Sequence, residues 1–268
     1  MSIKDIEIFK LTSIFLMFLS LVSCNQNLTF SDEINVESLT EIQDDSIADA
    51  SNVDENDPNS DNNNNQEPVI RYLALGDSYT IGTSVCETCS YPQQLKAKLR
   101  EEFSSNIDLK IIAQTGWTTT ALIGAINNEN PSQDKDLVTL LIGVNNQYQN
   151  ISFEIYETEF PALLNKAILF AKGNPKNVIV ISIPDYAYTP FGENSNNSEN
   201  ISNEIDAYNN YAKEVAERIH VKFIEITDIT RQGLNDPELV ATDGLHPSAK
   251  AYEKFVERLL PICLDILR

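Results

Sequence analysis

The chain is poor in the residue types that bind metals and nucleic acids. Among 268 residues there are two histidines, four cysteines and one tryptophan. Neither a second CxxC pair nor a histidine cluster is present to complete a tetrahedral zinc site. Lysine and arginine total 19 against 40 acidic residues, so the basic face that nucleic acid requires is missing. We therefore expect no metal, no cofactor and no nucleic-acid partner.

Basic residues are absent from a long segment near the N-terminus. Residues 25–68 contain 12 aspartates and glutamates, no lysine or arginine, and the run Asn62-Asn63-Asn64-Asn65. Such a segment cannot bury enough apolar surface to offset the entropy lost on ordering. The other part, residues 69–268, has 17 basic and 26 acidic side chains and a formal charge of −9. We expect residues 24–68 to be a disordered linker and residues 69–268 to be the folded domain.

A long hydrophobic run is also missing at the N-terminus. The apolar stretch at residues 11–22 is too short to span a bilayer of about 30 Å as a helix, and is typical of an export signal. Leu21-Val22-Ser23-Cys24 resembles the lipobox of bacterial lipoproteins, which are cut before the cysteine and lipidated on it. This predicts a signal peptide at residues 1–23 and a cell-envelope lipoprotein, on the periplasmic face or the cell surface, anchored to the membrane through lipidated Cys24. The alternative is an ordinary secreted protein with a chance cysteine at position 24. The first ten residues carry as many acidic as basic side chains, which counts against the lipoprotein interpretation.

Three further cysteines remain in a chain predicted to reach an oxidising compartment. Cys86-Glu87-Thr88-Cys89 has the spacing of a small disulfide loop, which we expect here. The alternatives are a redox-active pair and one half of a metal site. Cys263 is expected to be a buried free thiol on the last helix.

Two short blocks far apart in the chain suggest nucleophilic catalysis. They are Gly76-Asp77-Ser78-Tyr79, after an apolar run, and Asp243-Gly244-Leu245-His246-Pro247, near the C-terminus. A serine hydroxyl needs a base within hydrogen-bond reach and an acid that orients the base. His220 lies between a helical pattern and a strand-like run, so His246 is the stronger candidate base. The alternative is that His246 only precedes a helix that starts at Pro247.

The folded part alternates short apolar runs with longer amphipathic ones. This pattern predicts a parallel sheet with helices on both faces. The predicted strands are Val69 to Leu75, Leu109 to Ala113, Leu137 to Ile142, Asn177 to Ile183 and Val221 to Ile226. The predicted helices are Tyr91 to Phe103, Ala121 to Asn127, Phe153 to Ala171, Glu204 to Ile219 and Pro247 to Leu267.

Polar residues follow the predicted strands in turn. In an open parallel sheet, ligands bind beyond the carboxyl ends of the strands, so these residues are expected to converge there. In strand order they are Ser78, Gly116, Asn145 with Asn146, Asp185, and finally Asp243 with His246.

In this order the blocks resemble the SGNH or GDSL hydrolase superfamily over residues 69–268. The resemblance implies a three-layer α/β/α sandwich with a flavodoxin-like, about five-stranded parallel sheet. It also implies a triad of Ser78, Asp243 and His246. The oxyanion hole would consist of the backbone N–H groups of Ser78 and Gly116 and the side-chain amide of Asn145.

Two positions depart from the superfamily pattern. Tyr79 replaces the usual leucine, and Asn146 replaces the usual aspartate, which removes a charge near the oxyanion hole. We expect these changes to affect substrate preference more than activity. Trp117 and Tyr148, beside the proposed donors, are candidates for an apolar wall or a sugar-stacking surface. The alternative for both aromatics is core or loop packing.

These features predict an exported, lipid-anchored, monomeric serine esterase. Its substrate would be a small-molecule ester, either an acyl lipid or an acetylated carbohydrate, cleaved through an acyl-enzyme intermediate. An acyltransferase would use the same triad. A non-catalytic binding lipoprotein on the same fold is a further alternative, because fold does not imply function.

Overall fold

A computed structural model of the protein describes residues 69–268. The predicted signal peptide at residues 1–23, the lipidated Cys24 and the acidic linker to residue 68 lie outside the described residues. Within residues 69–268, every helix is too short or too polar to cross a membrane.

The described residues form an α/β sandwich around one parallel sheet. The strands are β1 (Val69–Gly76), β2 (Asn106–Ala113), β3 (Leu137–Leu141), β4 (Val178–Ile181) and β5 (Lys222–Ile224). Their order is β2-β1-β3-β4-β5, and all neighbours are parallel. The central strands β3 and β4 are buried along their whole length, as expected for strands covered on both faces. The predicted five-stranded, flavodoxin-like sheet is confirmed.

Helices cover both sides of the sheet. They are α1 (Ser78–Ile81), α2 (Tyr91–Phe103), α3 (Thr119–Glu129), α4 (Val144–Tyr148), α5 (Phe153–Phe170), α6 (Pro190–Glu193), α7 (Ser198–Arg218), α8 (Thr227–Thr230) and α9 (Ala249–Leu267). On one side α2 packs against α9, and on the other α5 packs between α3 and α7. The short helices α1 and α4 follow directly from β1 and β3, which places their first residues at the carboxyl edge of the sheet.

The two largest differences from the predicted element boundaries occur at polar residues. Strand β2 begins at Asn106, three residues before the predicted Leu109, because this edge strand alternates exposed and buried side chains at its start. Helix α7 begins at Ser198 rather than Glu204, although its first turn is polar. Ile201 and Ile205, four residues apart, are both buried and continue the apolar face of the helix toward its N-terminus.

Candidate active site

Ser78 lies at a tight junction between β1 and α1. It is the first residue of α1 and is 3% exposed. The Asp77 carboxylate caps this helix by accepting the backbone N–H of Tyr79 at 3.0 Å. A Cβ on Gly76 would overlap the Thr80 side chain and the Leu141 carbonyl, so the turn into α1 requires glycine at this position.

Asp243 holds His246 in one orientation. The Nδ1 atom of His246 is 2.6 Å from the Oδ2 atom of Asp243. The other carboxylate oxygen, Oδ1, accepts the backbone N–H groups of Leu245 and His246 at 2.9 and 3.0 Å. Because Nδ1 faces the carboxylate, Nε2 is the ring nitrogen that remains available for proton transfer.

Hydrogen bonds also set the ionisation state of Asp243. Burial raises the pKa of this carboxyl, but hydrogen bonds from Ser84, from His246 and from two backbone N–H groups outweigh burial and hold the pKa well below its usual range. Asp243 is therefore a carboxylate at neutral pH. Ser84 was not predicted from the sequence, since it is 159 residues away from Asp243 in the chain.

The loop that carries His246 is anchored at both ends. Ala241 donates its backbone N–H to the His246 carbonyl at 2.7 Å, and Ser248 donates to the Leu239 carbonyl at 2.9 Å. The Ser248 side chain then caps α9 by accepting the N–H of Ala251. His246 thus precedes a helix, as its alternative interpretation required, and it also contacts Asp243.

The structure brings His246 close to the Ser78 block. The ring of Tyr79, the residue after Ser78, lies 5.5 Å from the His246 ring, centroid to centroid. His246 is 8% exposed and Tyr79 is also buried, so both rings are nearly shielded from solvent. In the described part of the chain, Ser78 and His246 share no hydrogen bond, so the hydroxyl must approach the ring before a proton can transfer.

Two backbone N–H groups at this edge are free to bind a ligand. Among residues 69–268, neither the Ser78 N–H nor the Gly116 N–H donates to a protein acceptor. Gly116 is exposed, has a φ of +82°, and has no atom within 4 Å of its Cβ position. The open approach and the left-handed backbone both suit glycine.

Asn145 lies between these donors. Its side-chain amide donates to the Trp117 carbonyl at 3.0 Å and points toward the Asp77 carboxylate at 3.5 Å. The second contact is long, so one amide hydrogen remains weakly bound. Burial raises the pKa of Asp77 to about 7, while hydrogen bonds from the Tyr79 backbone and from Asn145 lower it.

Asn146 anchors the loop that carries Gly116. It is fully buried, and its amide accepts the Thr119 N–H at 3.0 Å and donates to the Thr119 hydroxyl at 2.7 Å. That hydroxyl donates in turn to Glu159. The contacts of Asn146 are thus with Thr119, which begins α3, so the sequence-based expectation of an effect on substrate preference missed a structural role.

Three aromatic side chains lie beside the site, of which Tyr148 and Phe191 are exposed and Tyr186 is buried. Tyr148, at the end of α4, is 52% exposed, and its ring lies 5.9 Å from that of Tyr186 and 6.1 Å from that of Phe191. We call these three residues the aromatic cluster. Phe191 donates its backbone N–H to the Gly244 carbonyl at 2.9 Å, which joins the cluster to the Asp243 loop. Trp117, by contrast, is half-buried against the core.

The cysteine pair lies in the loop that follows α1. A disulfide joins Cys86 and Cys89, and Cys263 is a buried free thiol in α9. In the described residues, no group of three or more histidine, cysteine or acidic side chains is arranged to hold a metal ion.

Comparison with known proteins gives one family match and a consistent group of related folds. Residues 74–254 match the GDSL-like Lipase/Acylhydrolase family. The chain is 24% identical over 211 residues to the spore germination lipase LipC of Bacillus licheniformis, a match that covers 71% of this chain and 95% of that protein.

Solved structures share the fold at low sequence identity. One is LAE5, an alpha/beta hydrolase from the metagenome of Lake Arreo in Spain, with a TM-score of 0.58 and 19% identity over 74% of this chain and 96% of that one. Another is a variant of the acetyl xylan esterase Axe2 from Geobacillus stearothermophilus, with a TM-score of 0.53 and 18% identity over 72% of this chain and 94% of that one. These likenesses concern the fold alone.

Proposed function

Because the chain belongs to the GDSL-like lipase/acylhydrolase family, and is therefore an ester hydrolase, we propose that Ser78, His246 and Asp243 are its catalytic triad. The observation that carries this proposal is the 2.6 Å contact between Asp243 Oδ2 and His246 Nδ1. It fixes the ring so that a general base faces away from the carboxylate, and the carboxylate stabilises the imidazolium that forms.

The reaction proceeds in two stages. Ser78 Oγ attacks the ester carbonyl carbon while its proton passes to Nε2 of His246. The tetrahedral intermediate then collapses, and the same proton goes to the departing alcohol, which leaves an acyl group on Ser78. In the second stage a water molecule gives its proton to His246 and attacks the acyl-enzyme, which releases the carboxylic acid and restores the serine.

Three donors would bind the oxyanion in both stages. The free N–H groups of Ser78 and Gly116 and the weakly bound amide hydrogen of Asn145 all lie at the carboxyl edge of the sheet. A preorganised donor of this kind lowers the barrier by about 3 to 4 kcal/mol. Asn146, through Thr119, holds the segment that contains Gly116.

The aromatic cluster is the proposed binding surface for the non-reacting part of the ester. Tyr148 lies three residues after Asn145, and Phe191 contacts the loop that carries Asp243, so the cluster is connected to both the oxyanion-hole segment and the triad loop. Both an acyl chain and a sugar ring pack well on aromatic faces. An acyl lipid and an acetylated carbohydrate are therefore the two substrate classes to be compared.

The N-terminal residues support a membrane location for this activity. An export signal at residues 1–23, lipidation of Cys24 and an acidic linker to residue 68 would tether the hydrolase domain, residues 69–268, to the cell envelope. In a Cys24→Ala variant, we expect the protein to leave the membrane fraction and to lose incorporation of a radiolabelled fatty acid. Retention of both would contradict the anchor.

The deciding experiment uses the full chain, purified in detergent, with p-nitrophenyl acetate and p-nitrophenyl octanoate. We expect Ser78→Ala to abolish turnover of both esters. Ser132→Ala, which changes an exposed serine ahead of β3 at the opposite edge of the sheet, is the matched control and should keep wild-type rates. The ratio of the two wild-type rates then separates a preference for acetyl groups from one for longer acyl chains. Equal turnover by the Ser78→Ala variant would refute the triad.

A further inference from the structure

Ser84 makes a hydrogen bond that the family resemblance does not account for. Its hydroxyl donates to Oδ2 of Asp243 at 2.6 Å, the same oxygen that lies 2.6 Å from His246 Nδ1. A carboxylate has about four lone-pair positions. In Asp243 these are occupied by Ser84, by the His246 ring and by the backbone N–H groups of Leu245 and His246.

The backbone of Ser84 is unusual for a serine. Its φ is +67°, in the left-handed region that side chains with a Cβ rarely adopt and that glycine enters without cost. A residue that keeps a Cβ and a hydroxyl in this conformation gives up stability that glycine would retain. The hydroxyl is therefore the feature of Ser84 that calls for an explanation, and Asp243 is its hydrogen-bond partner.

The surrounding segment is fixed at several points. Just before Ser84, Thr83 shares a 2.6 Å hydrogen bond with the hydroxyl of Thr115, next to Gly116. Just after it, the Cys86–Cys89 disulfide closes the loop. The side-chain amide of Gln94 then donates to the carbonyls of Cys89, at 2.7 Å, and Ala249, at 3.0 Å, which connects the loop to the start of α9.

From these contacts we propose that Ser84 is a positioning residue that holds the Asp243 carboxylate in the plane required by His246. The proposal rests on the triad proposed above. The carboxylate is anchored through Oδ1 by its own loop and through Oδ2 by a residue on the nucleophile's loop. Removal of the Ser84 donor frees one position on Oδ2, so the carboxylate can rotate and the imidazole loses its fixed direction toward the substrate.

Two substitutions in the full chain separate the effect of the Ser84 hydroxyl from the effect of its left-handed backbone. Ser84→Ala removes the hydroxyl and keeps the Cβ in the left-handed conformation. Ser84→Gly removes the hydroxyl and relieves the backbone. We expect both variants to lower kcat on p-nitrophenyl acetate by about 10-fold with KM nearly unchanged, the loss expected for a hydrogen bond to a charged group. We also expect Ser84→Gly to melt at a higher temperature than Ser84→Ala, because glycine adopts the left-handed conformation more readily. An equal loss of kcat in two variants of different stability cannot then be attributed to unfolding.

A spectroscopic readout tests the mechanism independently of turnover. The proton between His246 Nδ1 and Asp243 gives a low-field ¹H NMR resonance, which can be assigned by its disappearance in His246→Ala. We expect this resonance to shift in both Ser84 variants. A wild-type kcat in Ser84→Gly would overturn the proposal, because Asp243 would then be held without the Ser84 hydroxyl. A reduced kcat with an unmoved resonance would also overturn it.

The two proposals can fail separately. If Ser78→Ala kept full turnover, the triad would be wrong, yet the His246 resonance would still report whether Ser84 orients Asp243. If Ser78→Ala abolished turnover and Ser84→Gly behaved as the wild type, the triad would stand and Ser84 would have no positioning role.

Discussion

The amide of Asn146 both accepts the backbone N–H of Thr119 and donates to its hydroxyl, at 3.0 and 2.7 Å. The Thr119 hydroxyl donates its hydrogen bond to Glu159, so its oxygen needs a donor, and not a second acceptor, as its other partner. An ionised aspartate at position 146 could not provide that donor and would place a buried negative charge near the half-buried Glu159. Asn146, where the superfamily usually has aspartate, thus supplies the donor that the Thr119 hydroxyl requires.

Asn146→Asp is expected to destabilise the fold and slow the reaction. The lost donor and the buried charge should lower the free energy of unfolding by about 1 to 3 kcal/mol. The segment from Gly116 to Thr119 should also lose order, which reduces kcat. Urea denaturation and p-nitrophenyl acetate kinetics measure the two effects. Asn210→Asp, which makes the same chemical change at an exposed position of α7, should have little effect on either. Equal behaviour of the two variants would contradict the role given to Asn146.

Asp243→Asn tests the orienting carboxylate without changing its shape. The amide cannot stabilise the imidazolium and favours the wrong ring tautomer, so we expect kcat to fall by a factor on the order of 10³ to 10⁴. The control is Asp265→Asn, an exposed change in the last turns of α9. A loss of less than about 10-fold in Asp243→Asn would show that His246 is oriented by some other contact.

Asp77 should make the protein less stable as the pH rises. Its pKa is raised by burial to about 7, from 3.8, so between these values the folded state keeps a proton that the unfolded state has released. Stability therefore falls as the pH rises from about 4 to about 7, by no more than about 4 kcal/mol. Asp77→Asn removes this titration and keeps an acceptor for the Tyr79 N–H. We expect the drop in unfolding free energy between pH 5 and pH 8 to be smaller in Asp77→Asn than in the wild type, and an equal drop would show that Asp77 does not titrate in this range.

Tyr148→Ala tests the aromatic cluster as a substrate surface. Loss of the ring should raise KM for p-nitrophenyl octanoate by about 5-fold, with a smaller effect on kcat. Leu169, on α5, has the same 52% exposure as Tyr148, so Leu169→Ala is a control matched for exposure. If both variants raised KM alike, the effect would come from the loss of any exposed apolar side chain and not from the aromatic cluster in particular.

The elements that hold the site were predictable where a local pattern determines them. The buried strand β4 is a continuous apolar run, and β3 is apolar except for Thr139. The Asp243 to His246 contact spans only three residues, so the strands and this contact are all visible in the sequence. The polar alternation that starts β2 contains no apolar run, and this is why that strand was predicted too short.

Contacts between loops that are distant in the chain have no local sequence pattern that would predict them. Ser84 and Asp243 are 159 residues apart, and nothing in the residues around Ser84 indicates that its hydroxyl reaches a carboxylate. Thr119 and Asn146, 27 residues apart, meet where the segments that follow β2 and β3 converge over the carboxyl end of β1, the strand that lies between them in the sheet. The strand order is what pairs these side chains.

The Ser84 to Asp243 hydrogen bond also affects how this enzyme can be altered. The segment that begins at Ser78 contacts the segment from Asp243 to Ala249 through the side chains of Ser84 and Gln94. Substitutions in the two segments should therefore show coupled, non-additive energies in a double-mutant cycle. A chimera that takes one segment from a relative and leaves the other in place would separate these partners, so the two are exchangeable only as a pair.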